Sequence, residues 1–417
     1  MDKLIVRGGS QIFGDISISG AKNAVLPMMA ATIIEPGIYN IKNVPNLKDT
    51  RTMIELLEII GAKIDFSNSE LIIDSRSCNN PVAPYNLVKT MRASFYVLGP
   101  LLSRFKKAEV SLPGGCAWGP RPVDFHLKAL EKMGGKVCLD YGNILIEGSL
   151  TGANIQFEKI SVGATGNVIM AAVKAEGETV IRNASVEPEI INLVEFLNNL
   201  GAEIEAFPND NKYIIKGVKK LSSSTTCSVI PDRIEAGTYI IATALLGGEV
   251  TIKRVNPDHL KIVIGKIIES GSEVIVKKDC LTIKSSRVIR PVDIETSEYP
   301  GFPTDLQAQW MALMTQSSGR SKVLENIYHD RFAHIPELRR FGADIRLDEN
   351  TAFINGKIGL KSAPVMSTDI RASASLVLAA LRAEGESEIS RIYHLDRGYE
   401  DIVSKFTQLG ANIERTA

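Results

Sequence analysis

Leu56-Leu57-Glu58-Ile59-Ile60-Gly61-Ala62-Lys63-Ile64-Asp65-Phe66 decides the fold of this chain. Apolar residues at helical spacing stop on a glycine, and an apolar–polar alternation begins just beyond it. Glycine fits the left-handed position that ends a helix, where a β-carbon is costly. A polar turn and a second alternating run, residues 71–74, mark the strand as one arm of a hairpin. The pattern returns five more times, at Leu130-Glu131-Lys132-Met133-Gly134, Phe196-Leu197-Asn198-Asn199-Leu200-Gly201, Ile267-Ile268-Glu269-Ser270-Gly271, Leu338-Arg339-Arg340-Phe341-Gly342 and Phe406-Thr407-Gln408-Leu409-Gly410. A period of about 70 residues is the signature of an internally repeated architecture.

Ahead of each copy lies another helical stretch, apolar nearly all round and rich in Ala, Gly and Ser: residues 24–34, 93–102, 167–175, 236–246, 306–315 and 372–383. Helices without a polar face are buried on most sides. A strand follows each, as in residues 37–41 and 248–252, so one module reads helix, strand, helix, strand, strand. The sixth module stops soon after Gly410, before a hairpin partner. Asp2-Lys3-Leu4-Ile5-Val6-Arg7-Gly8 matches the missing arm, as comparison with Asn211-Lys212-Tyr213-Ile214-Ile215-Lys216-Gly217 shows, so the two ends are expected to pair. Six modules in two sets of three predict an α/β protein of two domains. One is discontinuous, residues 1–20 plus 230–417, and the other continuous, residues 21–229.

The 417 residues exceed one ordinary core. Lys plus Arg and Asp plus Glu number 48 each, so no net field draws the chain to nucleic acid or an anionic membrane. Five scattered cysteines without a CxxC pair argue against a disulfide framework or a zinc site, and for a reducing compartment. The longest apolar run, residues 24–34, is too short to span a bilayer, and residues 1–7 lack a secretory apolar core. A cytoplasmic protein is expected. Five histidines show no metal spacing, and no phosphate-loop or dinucleotide motif occurs, so neither metal nor cofactor is indicated.

Chemistry collects in two places. In Pro113-Gly114-Gly115-Cys116-Ala117-Trp118-Gly119-Pro120-Arg121-Pro122-Val123-Asp124, glycines and prolines shape a surface loop around one thiol, with a guanidinium nearby to lower its pKa. From composition alone an exposed turn with an incidental cysteine reads equally well. The second place is the approach to each Ala-rich helix: Lys22-Asn23, Arg92, Ser161-Val162-Gly163-Ala164-Thr165-Gly166-Asn167, Asp232-Arg233-Ile234-Glu235, Thr304-Asp305-Leu306-Gln307 and Thr368-Asp369-Ile370-Arg371. Thr304, Thr368 and Asn23 read as helix N-caps. Lys22, Arg92 and Arg371 oppose the helix dipole, so an anion is expected among them. Helix N-termini with Arg and Lys suit phosphate or carboxylate, and several converging on one cleft would take a small polyanion. Gly163-Ala164-Thr165-Gly166-Asn167 is a weaker phosphate cradle, and the charged runs 329–334 and 395–400 read as solvated loops.

From end to end the chain resembles the UDP-N-acetylglucosamine 1-carboxyvinyltransferases, the enolpyruvyl transferases that open bacterial peptidoglycan precursor synthesis. The resemblance rests on Ser19-Gly20-Ala21-Lys22-Asn23-Ala24, Met91-Arg92-Ala93-Ser94, the Cys116 segment, Tyr299-Pro300-Gly301-Phe302-Pro303-Thr304-Asp305-Leu306-Gln307, Thr368-Asp369-Ile370-Arg371 and Asp396-Arg397-Gly398-Tyr399. Trp118 departs from it, standing where an aliphatic residue is expected.

The resemblance implies that each domain is an inside-out α/β barrel of three modules. It implies addition of the sugar 3′-hydroxyl to C2 of phosphoenolpyruvate, protonation of C3 and loss of phosphate, with no metal or organic cofactor. Cys116 would be the acid at C3, the site of a covalent phosphoenolpyruvate adduct and the target of fosfomycin. Asp305 would be the base or orienter of the hydroxyl. Lys22, with Asn23, Arg121 and Arg397, would hold phosphoenolpyruvate. Arg92, Arg121, Pro122, Val123, Asp124, Phe125, Lys159, Ser161, Val162, Gly163, Asp305 and Ile327 would take the nucleotide sugar. Asp49, Arg331, Asp369 and Arg371 would stand behind these and in domain-closure contacts. Two rival readings are an enolpyruvyl transferase acting on shikimate 3-phosphate and a non-catalytic nucleotide-sugar sensor. A cysteine hydrolase lacks any plausible Cys–His–Asn set.

Overall fold

A computed structural model describes residues 2–112, 123–357 and 359–417. Lys48–Ile60 is a helix, and Gly61 ends it at φ 110°, its N–H reaching the carbonyls of Leu57 and Glu58. A β-carbon there would lie 2.9 Å from the carbonyl oxygen of Ser77, so the position excludes a side chain by space as well as by dihedral. The other five repeat glycines, 134, 201, 271, 342 and 410, all take φ between 91° and 110°. Beyond Gly61 the strands Lys63–Ser67 and Glu70–Asp74 pair antiparallel as the hairpin.

Among the described residues the strands form six four-stranded sheets with one common plan. A short edge strand lies parallel to its neighbour, and two antiparallel strands complete the sheet, as in Asn154–Gln156, Glu178–Arg182, Lys212–Lys216 and Glu203–Phe207. The fold is mixed α/β as expected; the sheets stay separate, and no ladder closes them into a β-barrel.

The parallel edge strand is the element the sequence pattern omitted. It is as short as Val82–Ala83 or Ile294–Glu295, too brief to show an alternation. At both crossings between modules three and four and between the N-terminal strand and module one, the edge strand is borrowed. Ser224–Ser228 pairs with Ile38–Lys42, and Ile12–Ser17 pairs with Gly248–Lys253. Lys3–Arg7 lies between Glu386–Ser390 and Asn412–Thr416, the place Lys212–Lys216 holds in its own sheet.

The chain divides into two compact units, Met1–Ser19 with Pro231–Ala417, and Gly20–Ile230. In the first, the helices Arg233–Leu246, Gln307–Met314 and Ala372–Arg382 pack on one another. The first two of these are buried at every position. Trp310 is enclosed completely, its ring edge-on to Phe302 and its indole N–H donated to the Val292 carbonyl at 3.2 Å. In the second unit, Leu98–Phe105 packs on Val162–Ala172, and Lys22–Ala31 on Pro188–Asn199.

Two helices differ from the expected bounds. The run expected at 93–102 is a 3-10 turn, Arg92–Val97, followed by the α-helix Leu98–Phe105. Pro100 explains the break, because its ring would clash with the carbonyl of Tyr96 in a continuous α-helix. The helix expected from residue 167 begins at Val162, capped by Ser161, whose hydroxyl accepts from the Ala164 N–H at 3.3 Å. Among the described residues no helix is long and apolar enough to cross a membrane.

Candidate active site

In the unit Gly20–Ile230, Lys22 opens its helix almost fully buried, with Asn23 half-buried beside it. The Lys22 ammonium lies 3.6 Å from the Asp49 carboxylate, itself in the first turn of Lys48–Ile60. The cation that opposed the dipole thus has a carboxylate of the chain against it, which lowers the cost of its burial.

A second group in this unit is built on His126, which sequence reasoning passed over. His126 lies on the helix Asp124–Lys132, buried, its ring edge-on to Phe95 at 4.9 Å. The Asn167 amide donates to its Nδ1 at 3.0 Å and to the Phe95 carbonyl at 3.0 Å, while its own oxygen accepts from the Gly99 N–H at 2.8 Å. An amide nitrogen only donates, so the ring proton sits on Nε2. A β-carbon on Gly163 would come 3.2 Å from the ring, so a side chain there would press on it and the close packing favours glycine. His126 therefore locks the start of its own helix to the start of Val162–Ala172. Beside it, Lys128 bridges Asp124 at 3.5 Å and Glu158 at 3.6 Å, and Phe125 meets Phe157 at 6.3 Å. The segments holding Val123, Asp124 and Phe125 and Lys159, Ser161, Val162 and Gly163 are thereby brought side by side. Thr165, Gly166 and Asn167 are helical and buried, which removes them as a phosphate cradle.

Burial pushes His126 down to about 3, and the charge of Arg92 adds to the effect. Burial likewise pushes His334 down to about 4, with Arg331 helping and Asp369 opposing. Both rings bind a proton readily only when unfolded, so their contribution to stability is complete above about pH 6.5 and falls away below it. Stability is expected to drop by roughly 1.4 kcal/mol per pH unit for each ring as pH falls from 6 to 4.5. Urea titrations at several pH values measure this, and His126→Gln, which cannot charge, should show the shallower loss. An equal slope in that variant would refute the assignment.

In the unit that holds both termini, Asp305 lies on the 3-10 turn Thr304–Leu306. Arg331 donates to its Oδ1 at 2.7 Å, and Arg371 Nε stands 3.7 Å from its Oδ2. Arg371 also donates to Asp232 Oδ2 at 3.1 Å and to the Gly398 carbonyl at 2.8 Å. Gly398 directly follows Arg397, which ends the half-buried turn Ile392–Arg397. Asp369 Oδ1 accepts the N–H groups of Arg371 and Ala372 at 2.7 and 3.0 Å and lies 4.0 Å from Arg331. Burial lowers Arg331 and Arg371, but the surrounding carboxylates outweigh it and hold both above their ordinary values. Asp305 is the most open of these side chains, 26 % exposed against 9 % for Arg331 and 3 % for Arg371. A fixed, acceptor-only carboxylate with one open side can receive a hydroxyl group.

Three expectations need correction. Arg371 does not wait for an external anion, since Asp232 and Asp305 supply the negative charge. Carboxylates rather than threonines cap these helices: Asp369 does so for Ala372–Arg382 and Asp232 for Arg233–Leu246. Thr304 faces Glu325 and Arg331 instead, and Asn23 is inside its helix. Cys116, Arg121 and Pro122 lie outside the described residues. Among the described residues no cluster of three or more His, Cys, Asp or Glu side chains is arranged to hold a metal.

The model of the EPSP synthase (3-phosphoshikimate 1-carboxyvinyltransferase) family matches residues 6–406. A UDP-N-acetylglucosamine 1-carboxyvinyltransferase of Chlorobium chlorochromatii is 49% identical over 419 residues, covering 100% of this chain and 99% of that one. Namesakes from Chlorobaculum parvum, at 50% identity, and Geobacter metallireducens, at 49%, cover 100% of this chain and 98% and 99% of their own length. The solved enolpyruvyl transferase NikO from Streptomyces tendae is similar with a TM-score of 0.89 and 25% identity, covering 100% of this chain and 99% of that one. EPSP synthase from Acinetobacter baumannii shares the fold with a TM-score of 0.78 and 19% identity, covering 100% of both chains. With twinned sheets, matched helices and agreement along the whole length, the chain belongs to the EPSP synthase (3-phosphoshikimate 1-carboxyvinyltransferase) family and, within it, to the UDP-N-acetylglucosamine 1-carboxyvinyltransferases.

Proposed function

We propose that the chain transfers the enolpyruvyl group of phosphoenolpyruvate to the 3′-hydroxyl of UDP-N-acetylglucosamine, releasing phosphate, as the committed step toward peptidoglycan precursors. The observation that carries this is near-half identity over the full chain to relatives of that name. In this reading the hydroxyl oxygen adds to C2 as C3 takes a proton. From the resulting ketal, C3 gives up a proton and the C2–O bond to phosphate breaks, restoring the enol ether.

Cys116 donates the proton at C3 and is the thiol that forms the covalent adduct. Asp305 orients the 3′-hydroxyl and takes its proton; its open carboxylate, held by Arg331, suits that role. Lys22, Asn23, Arg121 and Arg397 bind the phosphate and carboxylate of phosphoenolpyruvate; one such preorganised contact is worth about 3 kcal/mol where negative charge develops. Arg92, Ile327 and the segments 121–125 and 159–163 take the nucleotide sugar, a reading supported by the packing of Gly163 on His126. Asp49, Asp369, Arg331 and Arg371 hold these groups in place. We assign the protein to the cytoplasm, a reading supported by Cys78, Cys138, Cys227 and Cys280, all unbridged.

The test is phosphate release from phosphoenolpyruvate with each acceptor in turn. Release with UDP-N-acetylglucosamine is expected, and release with shikimate 3-phosphate alone would overturn the reading. In Cys116→Asp, a carboxylic acid can donate the same proton, so turnover should persist while inactivation by fosfomycin disappears. Continued alkylation of that variant would move the reactive thiol elsewhere.

A further inference from the structure

We infer that Glu325 is a positioning residue for this reaction, setting where Arg331 and, through it, Asp305 stand; the inference rests on the reading of Asp305 above. Glu325 follows the strand Arg320–Leu324 and is fully enclosed. Its carboxylate receives four hydrogen bonds. Oε1 accepts from the Thr296 hydroxyl at 2.8 Å and from the N–H groups of Ile327 and Tyr328 at 2.9 Å each, and Oε2 accepts from the Thr304 hydroxyl at 2.8 Å. An ionised carboxylate accepts only, so the single proton of Thr304 is committed to it. The lone pairs of that hydroxyl then face Arg331 Nη1, which donates to them at 3.0 Å and to Asp305 Oδ1 at 2.7 Å.

Both ends of the Asp305–Arg331 pair are therefore set by one side chain. Thr304 is the residue before Asp305, and Ile327 and Tyr328 open the segment that carries Arg331. Asn326 strengthens the second attachment, giving its N–H to Thr296 Oγ1 at 2.9 Å and its amide to Glu295 at 2.6 Å. The same loop holds Ile327. Glutamine at 325 would retain the shape but place an NH2 group against the Thr304 hydroxyl. The hydroxyl must then turn to accept from that NH2 group, which disturbs its contact with Arg331 beside Asp305.

The experiment measures phosphate release and substrate KM values for Glu325→Gln, Thr304→Val, Thr304→Ser and Asp305→Asn, and for Glu325→Gln combined with Asp305→Asn. A misplacement near 1 Å costs about a hundredfold, so Glu325→Gln and Thr304→Val should each lower kcat by roughly tenfold to a hundredfold. KM for phosphoenolpyruvate should stay unchanged, and Thr304→Ser should recover most of what Thr304→Val loses. In the Asp305→Asn background, Glu325→Gln should add almost nothing, because the group it positions is already gone. Full activity of Glu325→Gln, or an undiminished further loss in the combined variant, overturns the inference and leaves the role of Asp305 intact. Full activity of Asp305→Asn overturns the role of Asp305 and this inference with it. Should Glu325→Gln fail to fold, the Thr304 pair decides alone, with equal activity of Val and Ser refuting the proposal.

Discussion

Removal of residues 1–8 is expected to unfold the unit formed by residues 1–19 and 231–417. Lys3–Arg7 is the third strand of four, laddered on one side to Glu386–Ser390 and on the other to Asn412–Thr416. Among the described residues Asn412–Thr416 pairs with no other strand, so it would be lost too. Leu4 and Val6 are buried in the core, and burying each is worth about 1.5–3 kcal/mol. Gly8 and Gly9 extend the attachment, donating to the carbonyls of Gly385 at 3.1 Å and Leu381 at 2.9 Å. Two ladders, their orphaned backbone groups and two core side chains together rival a stability of about 5–15 kcal/mol. The ion pairs at the rim, Lys3–Glu388 and Arg7–Glu386, are exposed and contribute little. Hydrogen exchange reads the outcome: protection across residues 231–417 should collapse, and unchanged protection would refute the argument.

That expectation was legible in the sequence because strand and helix periods are local. Lys212–Lys216 and Lys3–Arg7 share an alternation that survives anywhere in the chain, and the repeat glycines mark helix ends by a dihedral only glycine takes cheaply. Val82–Ala83 was not legible, being a strand only because Lys107–Ser111 runs beside it. The candidate site divides the same way. Lys22 and Arg371 were visible as cations at the wrong end of buried helices, and Asp305 through the family resemblance. Their partners were not, because Asp232 and Arg371 lie 139 positions apart and meet only through the fold. Glu325 after a strand reads as one more surface acid, yet burial and four donors make it part of the interior. His126 was set aside for lacking metal spacing, whereas its work is to fill the space against Gly163.

Arg371→Ala should cost about 3–5 kcal/mol, because it removes one partner from buried ion pairs and leaves the others in place. Asp232 is almost fully enclosed, and burial alone would raise its pKa; Arg371 and the N–H groups of Glu235 and Ile234 outweigh that and hold it below its ordinary value. Without the guanidinium, those N–H groups are what remains among the described residues to support the charge. Lysine is no substitute, since one ammonium cannot reach Asp232 and the Gly398 carbonyl while also facing Asp305. Urea unfolding of Arg371→Ala, Asp232→Asn and the double variant measures the coupling. The double variant should lose clearly less than the sum of the two single losses, because removing both charges abolishes the unpaired one. Additive losses, or a loss below about 1 kcal/mol for Arg371→Ala, would show that the pair is not what fixes this region. Activity should fall further than stability in Arg371→Ala, since the lost bond to Gly398 also frees the turn that carries Arg397, while Asp305 loses the guanidinium facing its Oδ2. The burial of charge here is then not a burden the helix tolerates but the means by which one guanidinium holds three separate segments of the chain, around residues 232, 305 and 398, in fixed relation.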